Sequence, residues 1–260
     1  MNEEIYKIWL RNSVIDVNNP PNFGHQDRLY NRFIININEK RHFTFMKMGD
    51  GDILAYFLHP IIHTTMTDTY REIFSKALNP FIEHKIKTND PKIMLGVENN
   101  TPYFRVEQFE HLKWPKQQIL NLFDRLKHTD SLENNCIVFS YTFAKEGLGR
   151  LFDSLSGKNV IIVGPEYLNK IELKAKQVKY TVTPRINSWE VQEKIEKNLI
   201  ENIESLEDPI ILYACSVTGK MAISKMFFKY ENITQLDIGA NLDPYAGMAC
   251  RPWHPNFTKK

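Results

Sequence analysis

The chain has 260 residues, of which 42% are hydrophobic, 12% aromatic and 25% charged, enough apolar material for one large globular domain and too much for a disordered segment. Its 33 basic residues against 31 acidic ones leave a formal charge of +2, which excludes binding to a nucleic acid through bulk charge. The acidic start Met-Asn-Glu-Glu and the lack of a long apolar run predict a cytoplasmic protein with no signal and no transmembrane segment.

In chain order, helices are predicted over Glu3 to Arg11 and His25 to Ile35, separated by the rigid turn Asn18-Asn-Pro-Pro-Asn-Phe-Gly24. A buried strand starting at Phe43 ends at Gly49, and a helix begins with Ile53, Leu54, Tyr56 and Phe57. Helical spacing follows over Thr67 to His84, then a strand Lys92 to Val97, a helix opened by Trp114-Pro115, and a third strand Cys136-Ile-Val-Phe-Ser140. The second half alternates more plainly. Strands are expected at Val160 to Val163, Val178 to Val182, Pro209 to Cys215 and Thr234 to Ile238, and helices near Tyr167 to Lys174, Trp189 to Ile203 and Lys220 to Phe228. Apolar β-branched runs alternating with amphipathic helices predict a Rossmann-like three-layer α/β fold with a mostly parallel sheet. Residues 1–260 are read as a single domain, with a helical segment at 1–40 and an irregular tail at 246–260.

The candidate site is the turn Lys47-Met-Gly-Asp-Gly-Asp52, where two carboxylates follow the carboxyl end of a strand. Gly49 and Gly51 let a ligand approach the backbone. Acid-X-acid on such a turn suits Mn²⁺ or Mg²⁺, which take one or two carboxylates, water and substrate phosphate. The competing reading is that Asp50 and Asp52 only cap a helix and fill a turn. Glu98, with Asn99 and Asn100, forms a polar loop at a similar strand end and is a candidate general base; a solvated turn is the alternative. Ser216 and Thr218 lie between a strand and a helix, where hydroxyls and amides can hold an anion. Arg185 can neutralise a diphosphate, while Ser188 reads as a helix cap followed by Glu190. His254 in the Trp-His-Pro tail is a candidate metal ligand, and Arg251, Trp253, Tyr141 or Tyr245 can close over or stack on a base. Cys136 and Cys215 read as buried thiols, with no metal-ligand spacing among the cysteines.

The string Phe-X-Lys-Met-Gly-Asp-Gly-Asp-Ile resembles the signature of GT-D nucleotide-sugar glycosyltransferases, in which an Arg-Phe-Gly-Asp-Gly-Glu-type string carries the metal and donor motif. Here Asp52 stands where that family has Glu, and Lys47 where it often has Arg, a point charge in place of a planar fork. Asn159-Val-Ile-Ile-Val-Gly-Pro165 and Gln235-Leu-Asp-Ile-Gly-Ala240 resemble its later strands. The resemblance implies a GT-D-type fold and metal-dependent transfer from a UDP-sugar to an oligosaccharide or glycoprotein glycan. Asp52 and Asp50 would sit at the metal, with Lys47, Gly49 and Gly51 beside the donor. Two other classes compete. Leu236-Asp-Ile-Gly-Ala-Asn241 imitates the turn that cradles S-adenosylmethionine in methyltransferases, and the same fold can serve a non-catalytic carbohydrate or nucleotide binding module.

Overall fold

The computed structural model describes residues 24–58, 66–97, 116–132 and 138–248. Six parallel strands form one sheet in the order β2-β1-β6-β5-β3-β4. They are β1 (Thr44–Met48), β2 (Ile93–Val97), β3 (Asn159–Pro165), β4 (Gln177–Thr183), β5 (Ile210–Tyr213) and β6 (Thr234–Asp237). The helices are α1 (Gly24–Asn38), α2 (Asp50–Tyr56), α3 (Asp68–Thr88), α4 (Lys116–Leu126), α5 (Val138–Glu146), α6 (Gly149–Ser154), α7 (Gln192–Glu204) and α8 (Ser216–Lys229).

Successive strand residues point to opposite faces, and the core divides accordingly. Met46, Ile161 and Ile211 pack with Ile53, Phe74, Leu199 and Met221 on the face covered by α2, α3, α4, α7 and α8. Phe45, Ile162 and Leu212 pack with Phe33, Phe139, Leu151 and Leu242 on the other, covered by α1, α5, α6 and a 3-10 segment, Gly239–Ala246. This is the three-layer, parallel α/β arrangement that the alternation predicts. Both faces being covered explains why the strands read as continuous apolar runs.

Two expectations are corrected. The Cys136–Ser140 strand is not formed: from Val138 the chain is the helix α5, whose Val138, Phe139 and Phe143 enter the core. A short apolar run has no period that separates a buried strand from a buried helix. The expected helix over Tyr167 to Lys174 is a 3-10 turn over Glu166–Lys170, followed by irregular chain from Ile171. The Glu3 to Arg11 helix, Cys136 and Cys250 fall outside the described residues.

The middle of the sheet is tied by one buried polar side chain. Gln235 on β6 accepts from the Tyr213 hydroxyl on β5 (2.8 Å) and donates to Thr44 Oγ1 on β1 (3.0 Å) and to the Ile223 carbonyl on α8 (3.3 Å). Buried polar groups are tolerated when fully paired, and this one joins the elements that build the site above it. No helix among the described residues is long and apolar enough to cross a membrane.

Candidate functional site

The strand order changes direction between β1 and β6, and in open α/β sheets the crevice at the carboxyl ends beside such a point is where ligands bind. The backbone ladder between these strands pairs only Thr44 with Gln235 and Phe45 with Leu236. Beyond it, the Lys47 N–H is taken by the Asp237 carboxylate at 3.4 Å. A side chain therefore replaces the ladder where the two strands part.

Among the described residues three charged side chains meet there. Lys220, the fifth residue of α8, is 2% exposed, with Nζ 3.2 Å from Asp52 Oδ2 and 3.1 Å from Asp237 Oδ2. Asp52 Oδ2 also accepts the Gly49 N–H at 3.0 Å. Both of these Asp52 contacts run through Oδ2. Burial pushes the Asp52 carboxyl above its ordinary value and Asp237 adds to this, while Lys220 and the Gly49 amide pull against it. For Lys220, burial disfavours the charge, but the carboxylates of Asp237 and Asp52 outweigh burial and hold the ammonium above its usual 10.5. Both groups move up, each for its own dominant reason. Nearby, burial pushes the Cys215 thiol up to about 12, which makes it inert as a nucleophile.

The local sequence accounts for this geometry. Gly49 starts α2 in extended conformation, so Asp50 becomes the first helical residue and Asp52 the third, within reach of the Gly49 amide. Asp52 thus does cap the helix, as the turn reading expects, but the same oxygen also meets Lys220. Lys47 projects toward β6 and its Nζ donates to the Ile238 carbonyl at 3.4 Å. Gly239 has φ +64, and a Cβ there would fall on the Lys47 ammonium. We expect Gly239→Ala to cost about 1–2 kcal/mol from the left-handed backbone alone and to displace Lys47. The check is a lowered melting temperature together with weakened binding of anionic ligands; an unchanged variant would contradict this packing.

The other sequence-derived candidates distribute as follows. Ser216 is the exposed first residue of α8 with φ 51, at the rim of β5. The Thr218 hydroxyl is buried and 2.7 Å from Ser188 Oγ, so this pair fastens the loop after β4 to α8. Ser188 makes no cap: it opens a 3-10 turn, Ser188–Val191, whose preceding residue is Asn187 in left-handed conformation. Arg185 lies exposed in that loop, with no ion-pair partner among the described residues. Tyr245 does not stand free to stack on a base, since its hydroxyl accepts the Leu148 N–H at 2.5 Å and its ring packs on Phe152 at 4.6 Å. Gly51 is the second residue of α2, and Tyr141 lies on α5. Glu98, Asn99, Asn100, Arg251, Trp253 and His254 lie outside the described residues.

No family model matches the sequence, and no curated protein matches it. Solved structures do. A protein described as a new glycosyltransferase (DUF1792) from Streptococcus sanguinis aligns with 83% of this chain and 81% of its own, at TM-score 0.56 and 14% identity. Two structures of domain of unknown function 1792, one selenomethionine-substituted and one described as having a distinct glycosyltransferase fold, each align with 86% of this chain and 83% of theirs. For both the TM-score is 0.57 and the identity 16%. The chain has the DUF1792 fold. At such identities the likeness is one of architecture, and the chemistry must be argued from the site. The DUF1792 fold here carries Asp52 after β1, Asp237 at the end of β6 and Lys220 between them. Lys220 was not singled out by sequence reasoning.

Proposed function

We propose that the protein is a metal-dependent glycosyltransferase that moves a sugar from a nucleotide-sugar donor, a UDP-sugar, to a hydroxyl of an oligosaccharide or glycoprotein glycan. The observation that carries the reading is the meeting of Asp52, Asp237 and Lys220, with Lys47 beside them, in the carboxyl-end crevice between β1 and β6. The structural neighbours described as glycosyltransferases support it. We place the protein in the cytosol, where a buried unpaired thiol such as Cys215 stays reduced.

Among the described residues no three His, Cys, Asp or Glu side chains come together as a closed metal cage. That donor set suits a hard dication completed by water and phosphate, for which one or two carboxylates suffice. Asp52 would hold it through Oδ1, with Asp50 in the same turn and His254 as a further candidate. A bound Mn²⁺ or Mg²⁺ would supply Lewis-acid neutralisation of the diphosphate leaving group. Lys47, whose ammonium among the described residues donates to the Ile238 carbonyl, can swing to a phosphate oxygen. Lys220 holds the Asp52 carboxylate in one orientation, and the Gly49 amide does the same from the helix start. The exposed Ser216 and Arg185 are candidate contacts for the donor phosphates, and Gly49 and Gly51 admit the donor to the backbone. Glu98 is the candidate base for the acceptor hydroxyl if the reaction inverts.

The methyltransferase reading loses its main support. It needs Asp237 to face a cosubstrate, whereas this carboxylate is bound to Lys220 and to the Lys47 amide. The test is a thermal-shift panel of nucleoside diphosphates, nucleotide sugars, S-adenosylmethionine and NAD, with Mn²⁺ or with EDTA. UDP or a UDP-sugar at a hundred times its dissociation constant should add about 2.7 kcal/mol, in Mn²⁺ only. Equal stabilisation in EDTA would remove the metal bridge, and stabilisation by S-adenosylmethionine alone would return the methyltransferase reading.

A further inference from the structure

We infer that Lys220 is a built-in counter-cation that keeps a lone divalent ion out of the Asp52–Asp237 crevice, so that the ion enters only together with a diphosphate. The inference rests on the reading of this crevice as the donor site and adds to it an order of occupancy.

The point a cation bridging the two carboxylates would take already holds one. Lys220 Nζ is within 3.2 Å of Asp52 Oδ2 and 3.1 Å of Asp237 Oδ2. Each of those oxygens has a second donor, the Gly49 N–H for Asp52 and the Lys47 N–H for Asp237. An ionised carboxylate oxygen offers about two acceptor sites, so the inward oxygens are saturated. Lys220 is 2% exposed, and Thr218, Gly219, Met221 and Ala222 beside it on α8 are buried. It cannot yield its place as a surface lysine can.

Charge points the same way. Two carboxylates, Asp52 and Asp237, face one buried ammonium, Lys220, while the Lys47 ammonium is turned to the Ile238 carbonyl. A divalent ion arriving alone at Asp52 sits beside the buried Lys220 ammonium, and their repulsion is screened less there than in water. A diphosphate arriving with it offsets that repulsion and supplies the missing oxygen ligands. Binding of each must therefore strengthen binding of the other by the same factor.

The test uses the full chain and Mn²⁺ as probe, followed by calorimetric titration and by melting temperature. Three conditions are compared: Mn²⁺ alone, Mn²⁺ with inorganic pyrophosphate, and Mn²⁺ with UDP. For the wild type we expect Mn²⁺ alone to bind at least about tenfold more weakly than in the presence of pyrophosphate, within the usual range of coupling between sites. In Lys220→Gln, which exchanges the ammonium for a neutral amide, Mn²⁺ alone should bind about tenfold or more tightly than it does to the wild type and should raise the melting temperature. Equal Mn²⁺ affinity with and without pyrophosphate in the wild type would overturn the inference, whether or not the variant folds. A folded Lys220→Gln protein that gains no Mn²⁺ affinity would overturn it too. Pyrophosphate coupling without UDP coupling would leave the barrier standing and remove the nucleotide-donor reading. UDP binding with no dependence on Mn²⁺ would do the reverse.

Discussion

Asp52→Asn is expected to lower the rate of donor consumption by roughly 10²–10³-fold, the cost of losing one placed charge at a reacting centre, while the protein stays folded. The amide oxygen still accepts the Gly49 N–H, so the start of α2 survives. Lys220 keeps Asp237 as its partner, so the ammonium is not stranded. Losing a charged hydrogen bond costs about 1.5–3 kcal/mol, offset in part because an amide is easier to bury than the carboxylate that burial already disfavours. The melting temperature should fall by a few degrees at most. What the variant lacks is the negative Oδ1 that would face a dication. If Asp52 served the helix start alone, Asn would be nearly silent in rate and in Mn²⁺ dependence, since it caps helices as well as Asp. Initial rates across a Mn²⁺ titration, each paired with a melting curve, separate the two.

Lys220→Met carries the largest expected effect on stability, about 3–5 kcal/mol, because removing one member of a buried ion pair strands the others. Asp52 and Asp237 would then be buried with no ammonium between them. Burial already raises the Asp52 carboxyl and Lys220 no longer opposes it, and a group whose folded value lies above its unfolded one stabilises the fold below the unfolded value and loses that contribution as pH rises through the folded value. The variant should therefore recover part of its stability in mild acid. The wild type behaves differently at the alkaline end. The folded value of Lys220 lies above 10.5, so its contribution is complete below 10.5 and disappears as pH rises through the folded value. Melting temperatures of both proteins should thus differ most near neutral pH and converge toward acid and strong alkali. A gap independent of pH would mean that Lys220 acts through packing alone.

Much of the architecture was legible because both faces of the sheet are covered. Runs such as Val160-Ile-Ile-Val163 are short, β-branched throughout and bounded by Gly157 and Gly164-Pro165, and the amphipathic segments between them are long enough to show their period. Val138 to Phe143 was not legible, since a short helix buried in the core has the composition of a strand. The aspartates of the first turn were visible as a motif, whereas their partner was not. Lys220 comes from a different element, more than 160 residues away, and only the β1–β6 junction brings it in. A signal was present all the same. Lys220 is the one charged residue in Ala214 to Ser224, and a lysine inside an otherwise uncharged, apolar helix start is buried only if paired. Asp237 enters the sequence reading only through the methyltransferase comparison. Its turn reads like a cosubstrate cradle in sequence, and only the distance to Lys220 shows where the carboxylate is spent.

Whether the protein transfers sugar is decided by release of nucleoside diphosphate from a panel of nucleotide sugars by the purified protein in Mn²⁺, followed by mass spectrometry. Release is expected from at least one UDP-sugar, abolished by EDTA and lost in Asp52→Asn, with transfer of the sugar when a glycan acceptor is supplied. Release at the same rate in EDTA or in Asp52→Asn, or no release from any nucleotide sugar while the protein binds S-adenosylmethionine, would contradict it.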